Sequence, residues 1–259
     1  MTSTLEKVRY LNTVFKLEDL IHIDQSVDSA KRTIATALKK GYISRVKRNL
    51  YAVNDILIGE PYANKFQIAT KLADDAVVSH MSAFQYFGYY NQVSYDIYVT
   101  SQKNIRKIYF DGNSFIPLKP RIQKHEIGIH KNVWDSVQVT DLERTVLDSI
   151  YDMGKIADVE EIIEVLGMLP KLNENHFISY LVYYSNKSFI HRLGYLLSNF
   201  SSQVFSESFF SILKGKLSTS SRYLLPKSER QNGDSIYDAE WRLYVPSTIF
   251  KYKEREGQK

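Results

Sequence analysis

The chain has 259 residues and a formal charge of +5, with 44% hydrophobic and 24% charged residues. That suffices to bury a core in one large domain or two ordinary ones, and it excludes wholesale disorder. The absence of cysteine excludes disulfides, thiolate metal sites and cysteine nucleophiles. The polar start, Met1 to Arg9, and the lack of any stretch near the ~18 apolar residues of a membrane span predict a soluble cytoplasmic protein without membrane contact.

The charge is uneven. Residues 1–53 hold ten Lys or Arg against five Asp or Glu, while the rest of the chain balances at 24 of each. Residues 29–53 carry seven cations and no anion. A small basic unit joined to a larger neutral one suggests a nucleic-acid module with a second part.

In chain order, Leu5, Val8, Leu11 and Val14 recur at helical spacing and predict a helix over 3–14. Leu17, Leu20 and Ile21 predict a second, short one. Ser26 is a candidate N-cap for a third helix from Val27 to Lys40. Ala30, Ile34, Ala37 and Leu38 form its inner stripe, and Gly41 suits the left-handed position after its end. Its outer face would carry Ser29, Lys31, Arg32, Thr33 and Lys39, polar side chains suited to base edges and phosphates. Residues 42–53 then read as a basic hairpin around Lys47-Arg48-Asn49, with Asn49 tolerating the positive φ of a tight turn. Helix, short helix, helix, hairpin is a winged helix-turn-helix, here assigned to residues 1–53. The same arrangement also serves as a protein-docking module, and the cation run favours DNA.

Residues 54–61 read as a connector. Beyond it the spacing predicts a helix over 62–72, a strand at 76–78, and a helix from His80 to Phe87 capped by Ser79 and stopped by Gly88. Strands follow at 95–100, 107–110 and 114–117, the last two flanking Asp111-Gly112-Asn113. A further strand at 137–139 precedes Thr140-Asp141-Leu142-Glu143, which matches a capping box opening a helix through Tyr151. From there to about residue 215 the pattern is helical. The expected class is α+β, with residues 62–259 as a larger mixed domain ending in helices.

Two blocks stand out in that domain. Lys103, Arg106, Lys107, Lys119, Arg121 and Lys124, with Lys131, face only Asp111 and Glu126 and form a possible second basic face. Residues 135–166 hold nine acids against Arg144 and Lys155, either a partner face or a counterweight to the basic block.

The search for catalysis is empty. No phosphate loop or nucleophile elbow occurs, and no acid has a lysine two residues on, as a nuclease metal site needs. His125 and His130 are the nearest histidines, but their spacing points them apart. No catalytic residue, metal or cofactor is expected.

Taken together, Phe15-Lys-Leu-Glu-Asp-Leu20, Ser29 through Leu38, Lys40-Gly41-Tyr42-Ile43-Ser44-Arg45-Val46 and Arg48-Asn-Leu-Tyr51 resemble the N-terminal domain of AbiEi-type antitoxins. The resemblance continues in Val78-Ser79-His80-Met81-Ser82-Ala83 with Gly88, and in Val139 through Asp148, covering residues 1 to about 200. One departure is Asn49, where the family usually has Gly. The resemblance implies an autorepressor that binds inverted repeats of double-stranded DNA in its own promoter. It also implies an antitoxin of a type IV abortive-infection phage-defence system, which counteracts a nucleotidyltransferase-like toxin without a stable complex.

The expected contacts are therefore Ser29, Lys31, Arg32 and Thr33 in the groove, with Lys39, Lys40, Arg45, Lys47 and Arg48 on phosphate. The alternative is a protein-interaction module that docks a partner on the winged helix and the acidic helices.

Overall fold

The computed structural model describes residues 3–124, 126–225 and 235–250, so His125 and the last stretch of the expected larger domain lie outside the described residues. The fold is α+β. Two compact units divide the chain: Met1–Ser82 with Val93–His125 and Ile129–Val139, and Ala83–Gln92 with Glu126–Gly128 and Thr140–Lys259.

The first unit begins with α1 (Thr4–Arg9), β1 (Val14–Phe15), α2 (Leu17–Asp24), α3 (Val27–Lys39), β2 (Ile43–Lys47) and β3 (Leu50–Val53). The three strands form an antiparallel sheet in the order β1-β3-β2. Ser3 opens α1 through a reciprocal capping box with Glu6. The helix expected over 3–14 stops at Arg9. Val14 and Phe15 instead pair with Ala52 and Tyr51, where two strand-forming side chains are buried on a ladder. Ser26 caps α3 as expected, and Gly41 (φ +73°) ends it. Its amide donates to Leu38 and that of Tyr42 to Ala37, a Schellman closure. The core beneath is Val8, Phe15, Leu20, Ala30, Ile34, Ala37, Ile43 and Tyr51.

The same unit continues through α4 (Lys65–Thr70), β4 (Val77–Val78), the start of α5 (His80–Phe87), β5 (Asp96–Thr100), β6 (Ile108–Phe110), β7 (Asn113–Leu118), β8 (Ile129–Asn132) and β9 (Val137–Thr140). These strands form one mixed sheet in the order β6-β7-β5-β4-β9-β8. The β6–β7 turn uses Asp111 (φ +49°) and Gly112 (φ +70°), the paired positive φ values of a tight hairpin. The Ser79 hydroxyl, expected to cap α5, bonds the Thr100 hydroxyl (2.6 Å) and the His80 ring (2.8 Å) inside the core.

Residues 54–61 do not separate compact units. Their backbone folds back on itself, with the Asp55 amide donating to Glu60 and the Gly59 amide to Asp55. Asn54 is buried and donates to the Gly41 carbonyl and the Ser44 hydroxyl. Beyond them, the Lys47 ammonium donates to the Leu72 carbonyl (2.5 Å), and β6 lies against β2. Residues 1–53 and the six-stranded sheet thus share a unit.

The second unit holds α6 (Leu142–Tyr151), α7 (Val159–Gly167), α8 (Glu174–Tyr180), α9 (Phe189–Phe200) and α10 (Glu207–Gly215). A small sheet of β10 (Arg222–Tyr223), β11 (Ser235–Asp238) and β12 (Leu243–Pro246) follows, in the order β10-β12-β11. Val159, Ile162, Ile163 and Leu166 of α7 and Leu193, Leu196, Leu197 and Phe200 of α9, each at helical spacing, are buried. The cap of α6 is Asp141, one residue after the expected Thr140: its carboxylate accepts from the Arg144 amide (2.8 Å). Thr140 is buried and bonds Thr145.

Part of the acidic block serves this unit's own structure. Asp148 holds the buried Arg144 guanidinium (3.3 Å) and accepts from Tyr184 (2.8 Å); Asp141 accepts from Tyr180, Glu161 from Tyr90 and Glu143 from the Asn173 amide. Burial raises the Asp141 carboxyl and, with Asp148 beside it, the Tyr184 phenol. Asp158, Glu160 and Glu164 of the same block are exposed on or beside α7.

Gly194 on α9 lies under the buried Trp241 ring, and a Cβ there would meet Trp241 Cζ3 at 1.9 Å. Gly194→Ala is expected to destabilise the second unit by about 3 kcal/mol, read as an earlier denaturation midpoint with loss of near-ultraviolet Trp signal. An unchanged midpoint would contradict this packing.

Candidate nucleic-acid interface

The roll of α3 decides which residues it presents. Its Ala30–Ile34–Ala37 stripe packs inward, and a carboxylate fixes the angle. Asp24, at the end of α2, has a side chain with no exposed surface; it pairs with Lys7 of α1 (2.5 Å) and accepts from the Thr33 hydroxyl (2.7 Å). Burial pushes the Asp24 carboxyl up, but Lys7 and Thr33 outweigh it and hold it below the usual range.

Of the expected groove set, Thr33 is buried with its hydroxyl on Asp24, which corrects its outward placement; Ser29 is half-buried, and Lys31 and Arg32 are exposed. Lys39 and Lys40 are exposed too, Lys40 lying over the Tyr42 ring.

Arg45 and Arg48 are exposed on the hairpin, Arg45 stacking on Tyr51. Lys47 is corrected as a phosphate contact. It is half-buried with its ammonium on the Leu72 carbonyl, and burial together with Lys16 lowers its pKa. Asn49 adopts φ +61°, as the turn needs. Its amide also accepts from the Leu17 amide (3.0 Å) and donates to the Glu18 carboxylate (3.0 Å), pinning the hairpin to α2.

Between α3 and the hairpin lies a cleft of about 490 Å³. Leu17, Ile34, Leu38 and Tyr51 floor it; Lys31, Arg45 and Arg48 line it, and no acid does. Three cations converging from two elements on a concave surface suit an anionic backbone that runs between helix and hairpin. Lys31 therefore shares this cleft with the hairpin cations, while Arg32 is exposed outside its lining.

Of the second basic set, Lys103, Arg106, Lys107, Lys119 and Lys124 are exposed and Arg121 is half-buried. Lys119 donates to the Gln102 and Lys103 carbonyls and so shapes that loop. Lys103 shares Asp74 with Lys16, at 2.6 and 2.8 Å, and the two ammonium groups hold the Asp74 carboxyl far below its usual value. Lys16, Glu18 and Asp74 were not singled out from sequence, since each gains its role only when distant segments meet. Trp134 and Val133, at the β8–β9 turn, are also new: they are 98% and 87% exposed.

A wider groove of about 1350 Å³ in the second unit carries Glu164, Glu207 and Glu240 around one lysine, Lys214, which is paired with Glu240. Its charge is unsuited to phosphate. Among the described residues no group of His, Asp and Glu could hold a metal, and no helix is long and apolar enough to cross a membrane.

No family model matches the chain, and no curated protein does. Among solved structures it is similar to the crystal structure of the RV2827C protein from Mycobacterium tuberculosis. The identity is 14%, the TM-score 0.66, and the match covers 93% of this chain and 89% of that one. At this identity the likeness shows a shared fold.

Asn49 tests the hairpin's attachment. Asn49→Gly keeps the turn but loses the α2 bonds, and Asn49→Ala loses both. Thermal melts should place Gly about 1 kcal/mol and Ala about 2 kcal/mol below the parent. A fully stable Ala variant would contradict the assignment.

Asp24→Asn should cost about 2 kcal/mol at pH 7. Because the folded carboxyl titrates below the unfolded one, its stabilisation is present above pH ~4 and is lost as pH falls through the folded value. Parent and variant melts should converge on acidification.

Proposed function

We propose that the chain binds double-stranded DNA through α3 and the β2–β3 hairpin and represses its own promoter. In the same reading it acts in the cytoplasm as the antitoxin of a type IV system, against a nucleotidyltransferase-like toxin. The observation that carries the DNA contact is the acid-free cleft where Lys31, Arg45 and Arg48 converge. The order helix, strand, helix, helix, strand, strand supports reading residues 1–53 as a winged helix. The antitoxin role rests on the resemblance of residues 1 to about 200 to AbiEi-type antitoxins.

In this reading Lys31, Arg45 and Arg48 seat the DNA backbone between helix and hairpin, Lys39 and Lys40 add phosphate contacts, and Arg32 reaches a base edge. Backbone contacts give affinity and register; the base contact gives preference.

Gel shifts of the full chain on its own upstream DNA test this. With about six phosphates neutralised, log K should fall against log salt with a slope near −5, and a slope near zero would overturn the DNA contact. Arg45→Gln with Arg48→Gln should weaken all duplexes alike and reduce the slope by about 2. Arg32→Ala should cost about 1–3 kcal/mol on the upstream site and little on unrelated DNA. For the antitoxin role, a cut at residue 62 would split the first compact unit. The better test is therefore whether the intact Arg45→Gln/Arg48→Gln chain still rescues toxin-expressing cells, as expected if neutralisation is separate from DNA binding.

A further inference from the structure

We infer that DNA held by α3 and the hairpin continues onto the loop Lys103–Lys107, with Asp74 as the carboxylate that the phosphates displace. This rests on the proposed DNA contact and extends it to a second surface.

The two basic segments, far apart in sequence, meet in the first unit. Lys16, beside the hairpin's attachment to α2, and Lys103 grip opposite oxygens of the same Asp74 carboxylate. A recess next to them is lined by Lys16, Lys47, Arg48 and Lys103, against Glu18 and Asp74, of which Glu18 is bonded to the Asn49 amide. The β6 strand, directly after Lys107, lies against β2, which carries Arg45. Arg106 and Lys107 are exposed, Lys107 over the ring of Tyr109. The Lys103–Lys107 segment is held in shape from behind, by Lys119 on its carbonyls and by Asp75 accepting from the Ser101 hydroxyl and the Gln102 amide.

Lys16, Arg48 and Lys103 thus share one recess that joins the hairpin cations to Arg106 and Lys107 of the loop. Asp74 is 67% exposed by side chain, and an exposed ion pair is weak enough for a phosphate to exchange with it. A polyanion with charges at every step can take both lysines where one carboxylate now holds them. Asp74 thus keeps two cations positioned and partly neutralised until a phosphate backbone replaces it.

The test uses the full chain on nested duplexes from its own upstream DNA: the shortest that still binds, and the same site with about 10 bp, one helical turn, added at each end. The wild type should bind the flanked duplex more tightly. Lys103→Gln with Arg106→Gln and Lys107→Gln should erase that gain and reduce the salt slope on the flanked duplex by about 2–3, with the shortest duplex bound as before. Asp74→Asn should instead tighten the flanked complex about two- to fivefold, the scale of a released surface ion pair. If wild type and triple variant share affinity and slope on the flanked duplex while both bind the shortest, the extension is wrong. If the wild type binds neither duplex, the DNA contact itself falls. A loss by the triple variant on single-stranded RNA, with none on the flanked duplex, would assign the surface to RNA and overturn the inference.

Discussion

One buried carboxylate sets the face that α3 presents. Asp24 lies out of water, and a carboxylate in that position is costly unless donors surround it. Its donors come from two other helices: Lys7 from α1 and Thr33 from α3. The apolar stripe Ala30–Ile34–Ala37 has small residues at both ends and by itself would tolerate several rolls of the helix. The directed bond from Thr33 to Asp24 selects one of them. That roll sends Arg32 and Lys39 outward and turns Lys31 toward the hairpin, so the position of the cations follows from the satisfaction of an anion.

The other acids of the N-terminal motif are used in a similar way. Glu6 closes the capping box of α1, Asp19 accepts from the Lys16 amide, and Glu18 holds the Asn49 amide. The five acids of residues 1–53 are thus largely committed to helix starts and ties, while the cations of α3 and the hairpin mostly remain at the surface. A net charge of +5 therefore understates the local field. In the second unit Asp141 and Asp148 are used in the same way, on Arg144 and on tyrosine hydroxyls, while Asp158, Glu160 and Glu164 stay exposed.

What the sequence showed depended on range. The third helix, its Ser26 cap, the Gly41 stop, the positive φ of Asn49 and the Asp111-Gly112 turn are local and were legible, because each follows from steric or capping preferences within a few residues. Two kinds of feature were not. A short strand such as β1 exists only because a distant segment pairs with it, so Val14 reads as a helical position although Ala52 supplies its ladder. Polar residues on a helix were read as outward, yet Thr33 turns in because Asp24, nine positions earlier, needs a donor. Lys47 failed for the same reason: its partner is the carbonyl of Leu72, which lies outside the presumed domain.

That last contact bears on how the hairpin works. A two-stranded ribbon at a surface is ordinarily among the least stable parts of a fold. Here Lys47 fastens one strand to the Leu72 carbonyl, and Asn49 fastens the turn to the start of α2. For the proposed DNA contact this means that Arg45 and Arg48 are held in place beforehand, so less ordering entropy is lost when a phosphate backbone arrives. The burial that lowers the Lys47 pKa is the cost of that arrangement: one cation is withdrawn from the surface to keep two others positioned on it.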